Sequence, residues 1–262
     1  MNKIKLLNFK LKKALWQDLF WIYKSKFHQE WLEFAEHKEY TPWDSIKYID
    51  WKNSSKTQKL YVKKFEEEKS IKVLFLVEIN KSYYYFPNKL ELLQEVIFTL
   101  WVSALHNKDQ LFINNKPIKN FALLNNFIEK LETNNTTPSL ENLIWSNAKN
   151  KQIKDFLIFI ISDTDKLPEK ELKLLSIKNE IYFIHIFDKF ENNLASENCD
   201  IILTNKIPIK ISLSNKQKIQ QYRQLRQEKL KKIENTLNKL QIKYLYLDTS
   251  LDPFKELLKL FL

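Results

Sequence analysis

Three short apolar runs stand out along the chain: Val73 to Ile79, Phe156 to Ile161 and Ile181 to Phe187. Each has strand length and is apolar at consecutive rather than alternate positions, the mark of a strand buried on both faces. Elsewhere the spacing turns helical. Leu90, Leu93, Val96, Ile97 and Leu100 place a helix over Leu90 to Leu105. Further helices are predicted over Phe121 to Leu131, Glu169 to Leu175, the charged stretch Lys216 to Leu240, and Pro253 to Leu262. Leu111 to Ile113 and Tyr244 to Leu247 read as shorter strands, and Ile201 to Leu203 with Ile207 to Leu213 as a hairpin around Thr204-Asn205-Lys206. Buried strands alternating with helices predict an α/β fold with a doubly wound, mostly parallel sheet.

The N-terminal part has a different pattern. Residues 1 to 35 are basic and aromatic, with Leu6, Phe9, Leu15, Leu19 and Phe20 loosely helical in spacing. Residues 36 to 70 read as short extended pieces broken by Pro42, Asn53 and Ser54, ending in the alternating run Leu60 to Phe65. The predicted division is therefore a helical and extended segment over 1–69 and an α/β domain over 70–262.

Composition changes the picture at one point. Average usage puts glycine near about 7%, yet this chain of 262 residues has none. Glycine-loop nucleotide sites of the GxGxxG and GxxxxGK[ST] kinds are thereby excluded. The formal charge of +11 suggests an anionic partner, but only Arg223 and Arg226 among the 43 basic residues are arginine. Arginine reads guanine edges and phosphates in bidentate fashion, so a lysine-rich surface points to coding bias and solubility. A nucleic-acid partner is disfavoured, although a basic protein binding nucleic acid or an anionic surface remains the rival reading. The ridge from Lys216 to Lys239 is more simply a solvated helix face.

Cys199 has no partner for an intramolecular disulfide, and lysines interrupt the apolar residues of the N terminus. No signal peptide and no transmembrane segment are expected, and the protein is expected in the cytoplasm.

In open α/β sheets, ligands bind beyond the carboxyl ends of the strands. Polar groups follow three of them: Glu78-Ile79-Asn80-Lys81-Ser82, then Ser162-Asp163-Thr164-Asp165, then Asp188. Carboxylates and hydroxyls at adjacent strand ends suit a hard cation. The plainer alternative is that Asp163 caps the following helix and Glu78 is a solvated strand end. His28, His37, His106 and His185 lack HxH or HExxH spacing, and His185 reads as a packed core or edge histidine. Asp44 and Asp50, beside Lys38, Lys47 and Lys56, read as ion pairs and turn caps rather than acid–base catalysts. No positioned nucleophile and base can be picked out.

The stretch from Glu33 to Phe65 resembles the signature of the bacterial domain of unknown function, family 58. That pattern runs E-F, R-x-Y-x-x-G-D, R-x-I-D-W, a short S-A-R turn, and L-x-V-x-x-F. Glu33, Phe34, Tyr40, Pro42, Asp44, Ile49, Asp50, Trp51, Ser54, Leu60, Val62 and Phe65 match it, with lysines at the arginine positions. IISDTD at 160–165 and HIFDKFE at 185–191 follow in the expected order. The resemblance implies a von Willebrand factor A type of domain behind a family-specific segment carrying Tyr40, Asp44, Asp50 and Trp51. It implies a metal-ion-dependent adhesion site in degenerate form, with Glu78, Asn80, Ser82, Thr137 (or Thr136) and Asp163 around Mg2+. It also implies a non-enzymatic interaction module, an adaptor working with a MoxR-type AAA+ ATPase. Asp50 and Trp51 are expected to hold the N-terminal segment against the α/β domain, with the Trp51 ring buried.

The resemblance bears on the missing glycines too. Trp21, Trp31 and Trp43 fall where the family places glycine, and Thr41-Pro42-Trp43-Asp44 suits a type II turn that wants glycine at its third position. A UGA codon that means glycine, translated as tryptophan, yields this pattern. Most tryptophans other than Trp51 are expected to be glycine in the native protein, with Trp16 and Trp101 the least clear cases.

Overall fold

The computed structural model describes residues 34–44, 46, 49–57, 59–65, 70–106, 108–132, 137–188, 191, 200–204, 208–212 and 216–261. The expected helix near the N terminus, Trp16, Trp21, Trp31, Thr136 and Cys199 lie outside the described residues. The chain falls into two compact units that divide between Ser70 and Ile71.

In the first unit, β1 (Phe34–Glu39) pairs antiparallel with β2 (Tyr61–Phe65), and the helix α1 (Trp51–Thr57) lies between them in sequence. The sequence pattern had no helix here. Asp50 creates it: its carboxylate accepts the backbone N–H groups of Lys52 and Asn53, each at 3.1 Å, the action of an N-cap. Ser54, buried in the middle of the helix, accepts the Tyr61 N–H at 2.8 Å and so ties α1 to β2. Trp51, the first residue of α1, is 65% exposed, so the expectation of a buried ring is corrected.

The second unit carries a six-stranded sheet: β3 (Lys72–Val77), β4 (Gln110–Ile113), β5 (Lys116–Pro117), β6 (Phe156–Ser162), β7 (Glu180–Phe187) and β10 (Lys243–Asp248), in the order β10-β7-β6-β3-β4-β5. All neighbours are parallel except β4 and β5. A separate antiparallel pair, β8 (Asp200–Thr204) with β9 (Pro208–Ser212), is the expected hairpin. The helices are α2 (Ser82–Tyr85), α3 (Pro87–His106), α4 (Phe121–Glu132), α5 (Leu140–Lys149), α6 (Glu169–Ser176), α7 (Lys216–Lys239) and α8 (Pro253–Phe261). This is an α/β fold whose strand order fits a doubly wound sheet.

Every residue of β6 is buried, as its uninterrupted apolar run requires. On one face, Leu74, Leu76, Ile158, Ile160, Ile181 and Phe183 pack with Leu143 and Ile144 of α5, Leu172 and Leu175 of α6, and Ile233 and Leu237 of α7. Helix α5 is absent from the helices the sequence pattern predicts, although half of LENLIWSNAK is apolar and Ser139 caps its start. Trp145, read as part of a polar stretch, is on this helix, about half exposed, with the Lys149 ammonium 3.7 Å from its ring centre.

A glycine-free chain still needs left-handed backbone. Positive φ falls on Lys108, Asn114, Asn115, Asp155 and Gln241. Asn114 and Asn115 form the two-residue turn between β4 and β5, a place for asparagine where glycine is absent. Lys108 and Gln241 end α3 and α7 in the position that normally takes glycine: Ile242 N–H reaches Leu237 C=O at 2.9 Å, and Asp109 N–H reaches Ala104 C=O at 3.0 Å. Trp43 is not among the positive-φ residues, although the Thr41–Asp44 turn is closed by a 2.8 Å hydrogen bond. The expected type II conformation is therefore corrected, and with it the conformational case for glycine at that position. Trp101 is buried against Phe98 and Phe121, a packing role for the indole.

Candidate functional site

The chain runs from β3 out to β4 on one side of the sheet and then crosses to β6 on the other, so the switch point of the topology lies between β3 and β6. Parallel register aligns Val77 with Ile161, and the Glu78 N–H donates to Ile161 C=O at 3.1 Å. Both strands therefore end level, and the residues that follow them meet.

Asp163 is the hub. Its Oδ1 accepts from Asn80 Nδ2 at 2.6 Å, and its Oδ2 accepts from Ser82 Oγ and, at 2.7 Å, from Lys89 Nζ. Asn80 is oriented in turn by the Ser82 N–H, which donates to its Oδ1 at 2.8 Å. Helix α6 is preceded by Pro168 and has no side-chain cap, so the reading of Asp163 as a helix cap is corrected.

Glu78, which follows β3, bonds groups outside this hub. Its Oε1 accepts the Leu140 N–H at 2.9 Å at the start of α5, and its Oε2 accepts from Ser162 Oγ at 2.5 Å. Glu78 is a partly buried helix anchor rather than a solvated strand end. Burial pushes its carboxyl up from the usual value, against the pull of the Ser162 and Leu140 hydrogen bonds. Thr137 is occupied by the backbone: its Oγ1 accepts the Ile79 N–H at 2.7 Å and its N–H donates to Ile79 C=O at 3.2 Å. Of the sequence-derived metal set, the structure gathers Asn80, Ser82 and Asp163, and gives Glu78 and Thr137 supporting roles.

The residue that sequence reasoning missed is Lys89. It sits on the first turn of α3 with its side chain fully buried. Its Nζ reaches Asp163, Ser82 Oγ at 3.0 Å, and both oxygens of Glu191 at 3.0 and 3.2 Å. The rings of Tyr83 and Phe86 flank it, with centres 4.9 and 5.8 Å from the nitrogen. Glu191 Oε2 also accepts the Asp188 N–H at 2.9 Å and lies 3.8 Å from the Arg226 guanidinium. A signal was present: Lys89 is in helical phase with Leu93, Val96 and Leu100, which are all buried. A lysine on an apolar stripe needs partners.

This arrangement does not fit magnesium. Magnesium requires near-octahedral oxygen ligands at about 2.0–2.1 Å, and the ammonium already lies 2.7 Å from the carboxylate oxygen such an ion would use. Among the described residues, no group of three or more histidine, cysteine or carboxylate side chains is placed to hold a metal. Nor is Ser82 with Lys89 arranged as an acyl-transfer pair. That chemistry needs a neutral amine beside a free hydroxyl, whereas Ser82 donates to Asp163 and the amine sits between two carboxylates.

His185 lies beside Ser162 in the sheet, buried among Phe183, Phe187 and Tyr246. Neither ring nitrogen has a hydrogen-bond partner among the described residues. Burial, reinforced by Arg226, lowers its pKa to about 3. It is a neutral core histidine.

In the first unit, Asp44 accepts from Thr41 N–H at 2.8 Å and Thr41 Oγ1 at 2.7 Å, with Lys38 Nζ at 3.2 Å. The Thr41 hydrogen bonds hold its carboxyl below the usual value. Asp50 receives His37 Nε2 at 2.8 Å, and the Tyr40 N–H donates to Leu60 C=O at 2.8 Å. These contacts brace the segment that carries the motif residues.

The family described as "Protein of unknown function DUF58" matches residues 36–199, more than half of the chain. The chain belongs to this family. Neither a curated protein nor a solved structure matches it. The DUF58 match spans the braced N-terminal motif, β3, β6, Asp163, Lys89 and Glu191, so the whole strand-end cluster lies within it. No helix among the described residues is long and apolar enough to cross a membrane. A hollow of about 400 Å³ near the start of β10, lined in part by Gln241, Lys243, Tyr244 and Lys259, contains none of the cluster residues.

Proposed function

We propose that this protein is a non-enzymatic interaction module of von Willebrand factor A type, an adaptor that works with a MoxR-type AAA+ ATPase in assembling or activating other proteins. The observation that carries the reading is the polar cluster of Asn80, Ser82, Asp163 and Lys89 at the switch point of the sheet, where domains of this architecture meet their ligands. Membership of the DUF58 family supports it. The cluster is built for holding geometry: each polar group has a fixed partner, and charge is concentrated at the rim through Glu191 and Arg226.

The rival reading is a basic protein that binds nucleic acid or an anionic surface through α7. Two of the lysines on that ridge are engaged within the fold, Lys229 with Asp165 and Lys239 with Glu169. Pairing of this kind lowers the positive field available to phosphates.

Mixing the purified protein with the MoxR-type ATPase encoded in the same genome, followed by analytical ultracentrifugation, tests the proposal. A stoichiometric complex at physiological salt is expected. Absence of that complex, together with retention on DNA that weakens steeply as salt rises, would favour the rival.

A further inference from the structure

Lys89 calls for an explanation that packing does not supply. Its position on α3 belongs to the buried stripe continued by Leu93, Val96 and Leu100, where an apolar side chain would pack without desolvating a charge. An ammonium has three N–H donors, and three side chains surround it: Asp163, Ser82 and Glu191. Two carboxylates, from Asp163 and Glu191, reach the Lys89 ammonium, and the Arg226 guanidinium lies 3.8 Å from Glu191. The two carboxylates are not equivalent. Asp163 is 5% exposed and also bound by Asn80 and Ser82, while Glu191 is 12% exposed and joins from beyond β7.

We propose that this is a tethered-cation site: the Lys89 ammonium supplies the positive charge that a divalent ion supplies in an adhesion site, and Glu191 is the internal carboxylate that completes it. Resting on the interaction-module reading, the consequence for binding is specific. An acidic side chain of a partner enters by displacing Glu191 from Lys89 and Arg226, and no metal bridges the two proteins.

The test uses the full chain. Calorimetric titration of the wild type with Mg2+ or Mn2+ to millimolar levels is expected to show no binding, and chelator to leave the melting temperature unchanged. Lys89→Ala removes the ammonium and leaves the carboxylates, so its melting temperature is expected to fall and to recover in part with millimolar Mn2+ but not with Na+ at matched ionic strength. Glu191→Ala opens the donor, and its melting temperature is expected to rise in acetate relative to chloride while that of the wild type does not. Stoichiometric Mn2+ binding by the wild type, abolished in Asp163→Asn, would overturn the proposal even if Lys89→Ala fails to fold. Indifference of Glu191→Ala to acetate overturns the role given to Glu191. None of these readouts involves the ATPase, so failure of the adaptor reading and failure of the tethered cation are separable.

Discussion

The two units each contain a lysine–aspartate pair, and the two pairs differ in almost every physical respect. Lys38 and Asp44 lie six residues apart at the surface, with side chains 46% and 23% exposed. Lys89 and Asp163 come from elements far apart in sequence, with side chains 0% and 5% exposed. The exposed pair keeps most of its hydration when broken, because water replaces either partner. The buried pair has no such replacement: removal of one member strands the other in a low-dielectric interior. The first pair braces a turn, whereas the second ties the first turn of α3 to the residues that follow β6.

The largest expected effect follows from this difference. Lys89→Ala should destabilise the protein by about 3–5 kcal/mol, the range for removing one partner of a buried pair, as measured by chemical denaturation. Lys38→Ala should leave the denaturation midpoint unchanged within error. Equal effects for the two replacements would erase the distinction.

His185 extends the contrast to a buried group with no opposite charge bonded to it. Arg226, Asp163, Asp165 and Lys89 surround it electrostatically, and burial dominates. The unfolded histidine takes up a proton near pH 6.5 and the folded one only near about 3. Between these values the unfolded state binds more protons, so stability present above pH 6.5 is lost as pH falls, by at most about 1.4 kcal/mol per pH unit. His185→Phe should remove this component of the slope in urea denaturation between pH 6.5 and 4.5, while Lys38→Ala should not alter it.

Left-handed residues give a smaller effect of opposite sign. Gln241 adopts φ 55° at the end of α7, and Gln241→Gly should stabilise by about 1 kcal/mol, visible as a rise in melting temperature. Trp51→Ala marks the lower end: an indole that is 65% exposed should cost no more than about 0.5 kcal/mol on replacement. A loss of several kcal/mol would restore the expectation of a buried ring.

The tryptophan question sharpens in the same light. None of the described tryptophans occupies a positive-φ position, and among the described residues the left-handed positions hold asparagine, lysine, aspartate or glutamine. Trp101 packs as an indole, while Trp43 is 96% exposed with no packing role. The codons decide. UGG at positions 21, 31 and 43 would exclude recoded glycine, and UGA there would call for mass spectrometry of the native protein.

Elements whose apolar period is set by local burial were legible along the chain. The runs that became β3, β6 and β7 bury both faces, so each residue reports its own environment, and their observed limits lie within two residues of the expected ones. Helices whose starts depend on polar side-chain contacts were not legible. Helix α1 depends on Asp50 and Ser54, and α5, although it buries Leu140, Leu143 and Ile144, starts at Ser139 and at the Glu78 carboxylate that follows β3. Within the site, sequence placed Asn80, Ser82 and Asp163 at neighbouring strand ends, because parallel strands must finish on the same edge. It did not place Lys89 or Glu191 there, since their meeting requires α3 and the residues after β7 to fold over that edge. Hydrophobic pattern is a property of each residue with respect to water, and a chain carries it before folding. The identity of the charge that neutralises Asp163 is a property of several distant residues at once, and only the closed packing around Lys89 decides it.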